Sequence, residues 1–161
     1  MADPWEAHAQ WWQDQFTDGV DPEYTEQIIP LVLRHLPLRG SVIDIGAGEG
    51  QVARHAAEAG MRVAALDPAW LQVSVGQSRG STVQWIQGSA MALPVADATF
   101  DAAVACLVFE HISDLDAAIT EVARVLKPGG TFLFLLNHPL LQTPGSGWID
   151  DQMLEPPEQY W

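Results

Sequence analysis

From residue 41 onward, short apolar runs alternate with stretches of helical period. Residues 41–45 form a β-branched run that ends in a glycine-rich turn. Residues 51–59 predict a helix stopped by Gly60, and 62–66 a second strand ending in Asp67-Pro68. A short helix is predicted from Ala69 to about Val75, closed by Gly76, and a third strand over 82–87. Residues 100–107 are a continuous apolar run of the kind buried on both faces of a sheet. Residues 114–126 predict a helix with Ile119, Val122, Val125 and Leu126 inward, stopped by Lys127-Pro128-Gly129-Gly130. A fifth strand follows over 131–136. Strands alternating with helices predict an α/β fold, a doubly wound parallel sheet with helices on both faces.

The first 40 residues differ. Trp5, Trp11, Trp12, Phe16 and Tyr24 crowd into them. One helix is predicted from near Pro4 to about Phe16, broken by Asp18-Gly19. A second starts with Asp21 as N-cap and Pro22 at the first helical position. Its apolar face carries Ile28, Ile29, Val32, Leu33 and Leu36, and Pro30 inside that pattern implies a kink or a late start. After Asn137 the pattern stops, and Pro139, Pro144, Pro156 and Pro157 mark loop. The expected organisation is a helical cap or lid over 1–40, a core over 41–137 and an irregular proline-rich tail over 138–161.

Composition narrows the function. The chain has 161 residues, 48% of them hydrophobic, enough for a packed core. Acidic residues outnumber basic ones 21 to 7, for a net charge of −14. That balance excludes a phosphate-tracking nucleic-acid binder and attachment to anionic lipid through a polybasic patch. No apolar run approaches the roughly 20 residues of a membrane-spanning helix. The start, Met1-Ala2-Asp3-Pro4-Trp5-Glu6, lacks the pattern of a signal peptide. Cys106 is the single cysteine, so no internal disulfide forms, and a cytoplasmic protein is expected.

The strongest local signal is Val42-Ile43-Asp44-Ile45-Gly46-Ala47-Gly48-Glu49-Gly50: strand, acidic residue, then a glycine turn opening a helix. Such a turn lets a ligand lie against bare backbone, with the free amides of the following helix presented to it; it also serves as a plain tight strand–helix turn. A dinucleotide fingerprint needs its third glycine where Gln51 stands. A Walker loop needs a lysine, and none precedes Lys127. Asp67 closes the second strand, where a carboxylate either grips vicinal ribose hydroxyls or caps a helix at Asp-Pro-Ala. Gly88-Ser89-Ala90-Met91-Ala92-Leu93-Pro94 and Ala105-Cys106-Leu107, followed by Glu110-His111, reach the same sheet edge.

Together with Phe100-Asp101 and Ala123-Arg124-Val125-Leu126-Lys127-Pro128-Gly129-Gly130, these blocks resemble class I S-adenosylmethionine-dependent methyltransferases. The likeness is to the small-molecule branch that includes the ubiquinone and menaquinone methyltransferases. The resemblance implies a Rossmann-like sheet of strand order 3-2-1-4-5, which the family closes with an antiparallel hairpin. Five strands are supplied and that hairpin is missing, so a C-terminally truncated form is expected. The open fifth strand then leads to a homodimer, to aggregation, or to cover by the tail.

The resemblance also implies roles. Gly46, Ala47 and Gly48 line the methionine end of S-adenosylmethionine, and Asp44 orients that loop and holds the ammonium group. Asp67 takes the ribose hydroxyls. Ser89, where the family commonly has Asp, and Ala90 sit by the adenine, with Met91 on its face. Cys106 and Leu107 lie beside the sulfonium and the mouth of the acceptor pocket. The aromatic N-terminus either packs on the sheet through Trp11, Trp12 and Phe16 or forms a lid, in which Trp11 or Tyr24 closes the site. Methyl transfer to a small-molecule acceptor is an in-line displacement carried mostly by proximity, leaving S-adenosyl-L-homocysteine. His111 and His138 are the candidates if a base is needed, with a structural cap as the other reading of His111. His8, His35 and His55 show no ligand spacing, so no metal is expected. The alternative is a cofactor-binding domain without catalytic activity; a dinucleotide enzyme ranks third.

Overall fold

The computed structural model describes residues 4–17, 21–137, 148–150 and 158–160. Five strands form one parallel sheet: β1 (Ser41–Ile45), β2 (Arg62–Asp67), β3 (Gln84–Gln87), β4 (Phe100–Cys106) and β5 (Leu126–Leu135), in the order β3-β2-β1-β4-β5. The order reverses at β1, which pairs with both β2 and β4. A crevice for ligands therefore opens at the carboxyl ends of β1 and β4.

Alternation along the strands builds a core on each face. Ile43 and Ile45 of β1, Leu66 of β2 and Ala103 and Ala105 of β4 face one side, packed by Ala118, Val122 and Val125 of α5 (Leu115–Val125). Val42, Val63, Ala65, Ala102 and Val104 face the other. There they meet Val32 of α2 (Ile29–His35) and Val52, Ala53 and Ala56 of α3 (Gln51–Glu58). Each large apolar side chain so buried stabilises the fold by about 1.5–3 kcal/mol.

The structure refines several expectations. α1 spans Pro4–Phe16, as its start and stop signals predict. The second N-terminal helix changes character just before Pro30, which falls in the first turn of α2. A π-helical turn over Tyr24–Ile28 precedes α2, and the Ile29 N–H bonds back to the Tyr24 carbonyl. The wider turn accommodates a proline that has no N–H to give. α4 (Trp70–Ser78) runs through Gly76 instead of ending there, and the Trp85 indole of β3 lies against that glycine. On α5, Ile119 is 51% exposed and Ala118 takes the inward position. The stripe 118, 122, 125 has helical spacing, and residue 119 lies about 100° off it.

At the β4–β5 pair the register jumps from Phe100↔Leu126 to Ala102↔Thr131. Residues 127–130 bulge opposite Asp101, whose Oδ1 accepts from Lys127 Nζ at 2.7 Å. Its Oδ2 accepts from both the Ser41 N–H and the Ser41 hydroxyl at 2.8 Å. The bond from Lys127, with those from Ser41, holds the Asp101 carboxyl well below the usual carboxylate range. Arg124 donates to the carbonyls of Leu93 and Val95 and to Glu121 and Asp97. The last sequence block thus works as scaffold, tying loops to the sheet.

Within the segment expected to be irregular, β6 (Trp148–Asp150) and β7 (Glu158–Tyr160) pair antiparallel as a sheet of their own. β5 is an outer strand of the five-stranded sheet.

Candidate cofactor site

The crevice at the switch point is a cavity of about 530 Å³. Its floor is the turn after β1. The Gly46 and Ala47 amides both donate to the Leu66 carbonyl, at 2.8 and 3.0 Å, folding the turn back over β2. Gly46 has φ +69°, and a Cβ there would stand 2.5 Å from Val108. Both facts require glycine.

Asp67 fastens the turn from the neighbouring strand. Its Oδ2 accepts from the Gly48 N–H at 2.8 Å and its Oδ1 from the Ala69 N–H at 2.9 Å. It holds the Ala69 amide just ahead of α4, whose N-cap position Ala69 itself occupies, and it lines the cavity. Asp67 is therefore not the helix cap, and a carboxylate with about four lone-pair sites keeps capacity for a ligand beside its two amide bonds.

Asp44 is buried at the end of β1, and its Oδ2 has no hydrogen-bond partner among the described residues. Burial pushes its carboxyl up to about 7, with the Asp67 charge adding and the Ala53 N–H opposing. Asp44 lines the cavity, and a buried carboxyl there suits a cationic ligand group. Beside it lie the Tyr24 hydroxyl and the Cys106 thiol, both held mostly out of solvent. Burial, then the Asp44 charge, pushes the thiol up to about 12. It stays protonated at neutral pH.

The rim is irregular backbone. Leu107, just after β4, has φ +56° and donates its N–H to the Leu135 carbonyl at 2.9 Å. A leucine held in the left-handed region stores strain, here at the cavity edge. Ser89 turns the chain, its hydroxyl accepting from the Met91 N–H at 3.2 Å. Met91 Sδ accepts from the Ser113 hydroxyl at 3.6 Å.

Of the residues singled out in the sequence, Tyr24, Asp44, Gly46, Ala47, Gly48, Asp67, Ser89, Ala90, Met91, Cys106, Leu107 and His111 all line this cavity. Trp11 does not; it is 53% exposed, and Trp12 takes its place with Trp5 and His8. Positions 5, 8 and 12 form one stripe of α1, and Trp11 sits about 100° round from Trp12. That period was available in the sequence; the face it turns to the sheet was not. His111 meets the edge of Trp5 with ring centroids 4.9 Å apart. His138 lies outside the described residues.

Sequence reasoning missed Glu49 and Gln72, which also line the cavity. Glu49 is 1% exposed and paired with Arg54 Nη1 at 2.6 Å and Arg79 Nε at 3.0 Å. It joins the glycine turn to α3 and to the end of α4. No Lys or Arg among the described residues lines the cavity. Among the described residues, no group of three or more His, Cys, Asp or Glu is placed to hold a metal ion. Nor is any helix long and apolar enough to cross a membrane.

Comparison with known proteins agrees with this geometry. Residues 43–134 match the family described as methyltransferase domain. The chain is 42% identical over 95 residues to the ubiquinone/menaquinone biosynthesis C-methyltransferase UbiE of Rubrivivax gelatinosus, covering 58% of this chain and 38% of that protein. It is 37% identical over 108 residues to a malonyl-[acyl-carrier protein] O-methyltransferase of Serratia marcescens, covering 66% and 42%. It thus spans about two-fifths of the length of these curated relatives. The crystal structure of the PH0226 protein from Pyrococcus horikoshii superimposes with a TM-score of 0.70 at 29% identity, over 78% of this chain and 64% of that one. The match runs from the middle of β1 nearly to the end of β5, the whole sheet that frames the cavity, and on that ground the chain belongs to the methyltransferase domain family.

Proposed function

We infer that the cavity binds S-adenosylmethionine and that the protein transfers its methyl group to a small-molecule acceptor. One observation carries this reading: Asp44 and Asp67 flank the glycine turn as buried carboxylates, in a cavity that no Lys or Arg among the described residues lines. Such a site suits a ligand with an ammonium, a sulfonium and a hydroxylated ribose, and disfavours a pyrophosphate.

When bound, S-adenosylmethionine supplies an already activated methyl group. The protein's own residues bind, orient and exclude water. Asp44 Oδ2 accepts from the ammonium, and Asp67 adds the ribose hydroxyls to its two amide bonds. Gly46, Ala47 and Gly48 let the methionine end lie on backbone. Ser89, Ala90 and Met91 flank the adenine, with a serine hydroxyl where an aspartate is common. Cys106 and Leu107 wall the methyl-transfer position, and Tyr24 closes it from the N-terminal side. Trp5, His8 and Trp12 cover the cavity and shed water from it. His111, at the rim beside Trp5, is placed to accept a proton from an acceptor.

One relative named above is a C-methyltransferase of ubiquinone/menaquinone biosynthesis and another a malonyl-[acyl-carrier protein] O-methyltransferase, and both names support a small organic group as the acceptor. The charge of −14 supports an acceptor other than nucleic acid. The outer strand β5 supports pairing with a second copy, and the lone thiol supports a reducing, cytoplasmic setting. Calorimetric titration tests the cofactor. Binding of S-adenosylhomocysteine and none of NAD is expected; NAD binding without S-adenosylhomocysteine binding overturns the reading.

A further inference from the structure

We propose that Glu6 is a positioning residue: it clamps α1 over the cavity by capping α4, and so sets how long the cofactor stays bound. The proposal rests on the cofactor reading above.

α4 begins without a cap of its own. Ala69 occupies the N-cap position and offers no side-chain hydrogen bond. The first amides of a helix then need a partner from elsewhere. Glu6 supplies it from α1. The Trp70 N–H donates to Glu6 Oε2 at 2.6 Å and the Leu71 N–H to Glu6 Oε1 at 3.2 Å. One carboxylate thus satisfies two amides at the positive end of the α4 dipole.

A second link lies seven residues along. Gln13 Nε2 donates to Gln72 Oε1 at 2.9 Å. Glu6 and Gln13 share one face of α1, two turns apart, so the helix is held against α4 at both points. Trp5, His8 and Trp12, carried by that helix, line the cavity. Across the cavity Trp5 meets His111, in the turn after β4. α1 therefore bridges the β2 side of the site to the β4 side.

The clamp is built to open. Glu6 is only half-buried, and its bonds to α4 lie near solvent. Breaking them costs a surface cap and leaves the sheet cores intact. They are also close to the chemistry, because α4 follows directly on Asp67, which holds Gly48. A closed α1 walls the cofactor in; an open one frees its path out.

The test measures release of S-adenosylhomocysteine by stopped-flow fluorescence from the wild type, Glu6→Ala and Glu6→Gln. Release from Glu6→Ala is expected to be faster by about fivefold, the worth of one helix cap. Glu6→Gln falls between, since an amide oxygen accepts but carries no charge. Hydrogen exchange at the Trp70 and Leu71 amides rises in both variants. The apo melting temperature falls by no more than about 4 °C. Wild-type binding with unchanged release in both variants overturns the clamp alone. Failure of the wild type to bind S-adenosylhomocysteine overturns the cofactor reading, and the proposal with it.

Discussion

Asp67 holds the Gly48 amide at 2.8 Å, tying the carboxyl end of β2 to the turn that follows β1. One carboxylate therefore shapes the floor of the cavity and faces its ligand. Asp67→Ala is expected to weaken S-adenosylhomocysteine binding by roughly 10- to 100-fold, the worth of lost charged hydrogen bonds. It should also lower unfolding free energy by about 1–2 kcal/mol, since two buried amides lose their acceptor. Asp67→Asn keeps the volume, loses the charge and keeps only one of the two amide bonds, so its loss of unfolding free energy should be about half that of Asp67→Ala. Calorimetry and urea unfolding read both quantities, and wild-type affinity in the asparagine variant would sink the ribose assignment.

Asp44 makes binding and stability depend on pH. Its folded value, about 7, lies above the 3.8 of a free aspartate. The folded state therefore holds a proton that the unfolded state releases. The resulting stability is complete below about pH 4 and is lost as pH rises to about 7, by up to about 1.4 kcal/mol per pH unit. Asp101 and Glu121, held low by Lys127 and Arg124, act in the opposite sense. The comparison of wild type with Asp44→Asn isolates the first effect: unfolding curves across pH 4–8 should converge or cross, not run parallel. A cationic ligand favours the ionised carboxylate, so wild-type affinity for S-adenosylmethionine should rise from pH 5 to 8. A flat affinity profile would remove Asp44 from the site.

Trp85 explains why α4 contains a glycine. A Cβ at Gly76 would stand 2.2 Å from the indole, inside any real contact distance. Gly76→Ala should cost about 1–3 kcal/mol by forcing the ring aside. The double variant Gly76→Ala, Trp85→Leu should cost less than the two single changes added together. Strict additivity in chemical denaturation would show that the two positions do not share this contact.

Trp12, not Trp11, faces the cavity. Quenching or shift of tryptophan emission on adding S-adenosylhomocysteine should persist in Trp11→Phe. In Trp12→Phe it should fall by about half or more, Trp5 carrying the rest. Equal loss in both variants would mean that α1 turns on its axis when ligand binds.

The parts of the site legible beforehand are those whose chemistry is local. A glycine turn after a β-branched run, and a carboxylate at the end of the next strand, announce themselves within a few residues. Asp44, Gly46, Gly48 and Asp67 were found that way. Glu49 was missed because a glutamate in a turn reads as solvated. Only the approach of Arg54 and Arg79 allows it to be buried. Glu6 was missed for a like reason, since its partners Trp70 and Leu71 lie more than sixty residues on.

Strand and helix periods and the excess of acid were set by the sequence alone, because each depends on spacing or composition; the switch point between β1 and β4 came with the family resemblance. Which face of α1 turns inward was decided in three dimensions. So were the pairing of Glu49, the cap on α4 and the raised pKa of Asp44. Each depends on what a distant segment brings alongside, and burial or a hydrogen bond has no value until that partner arrives.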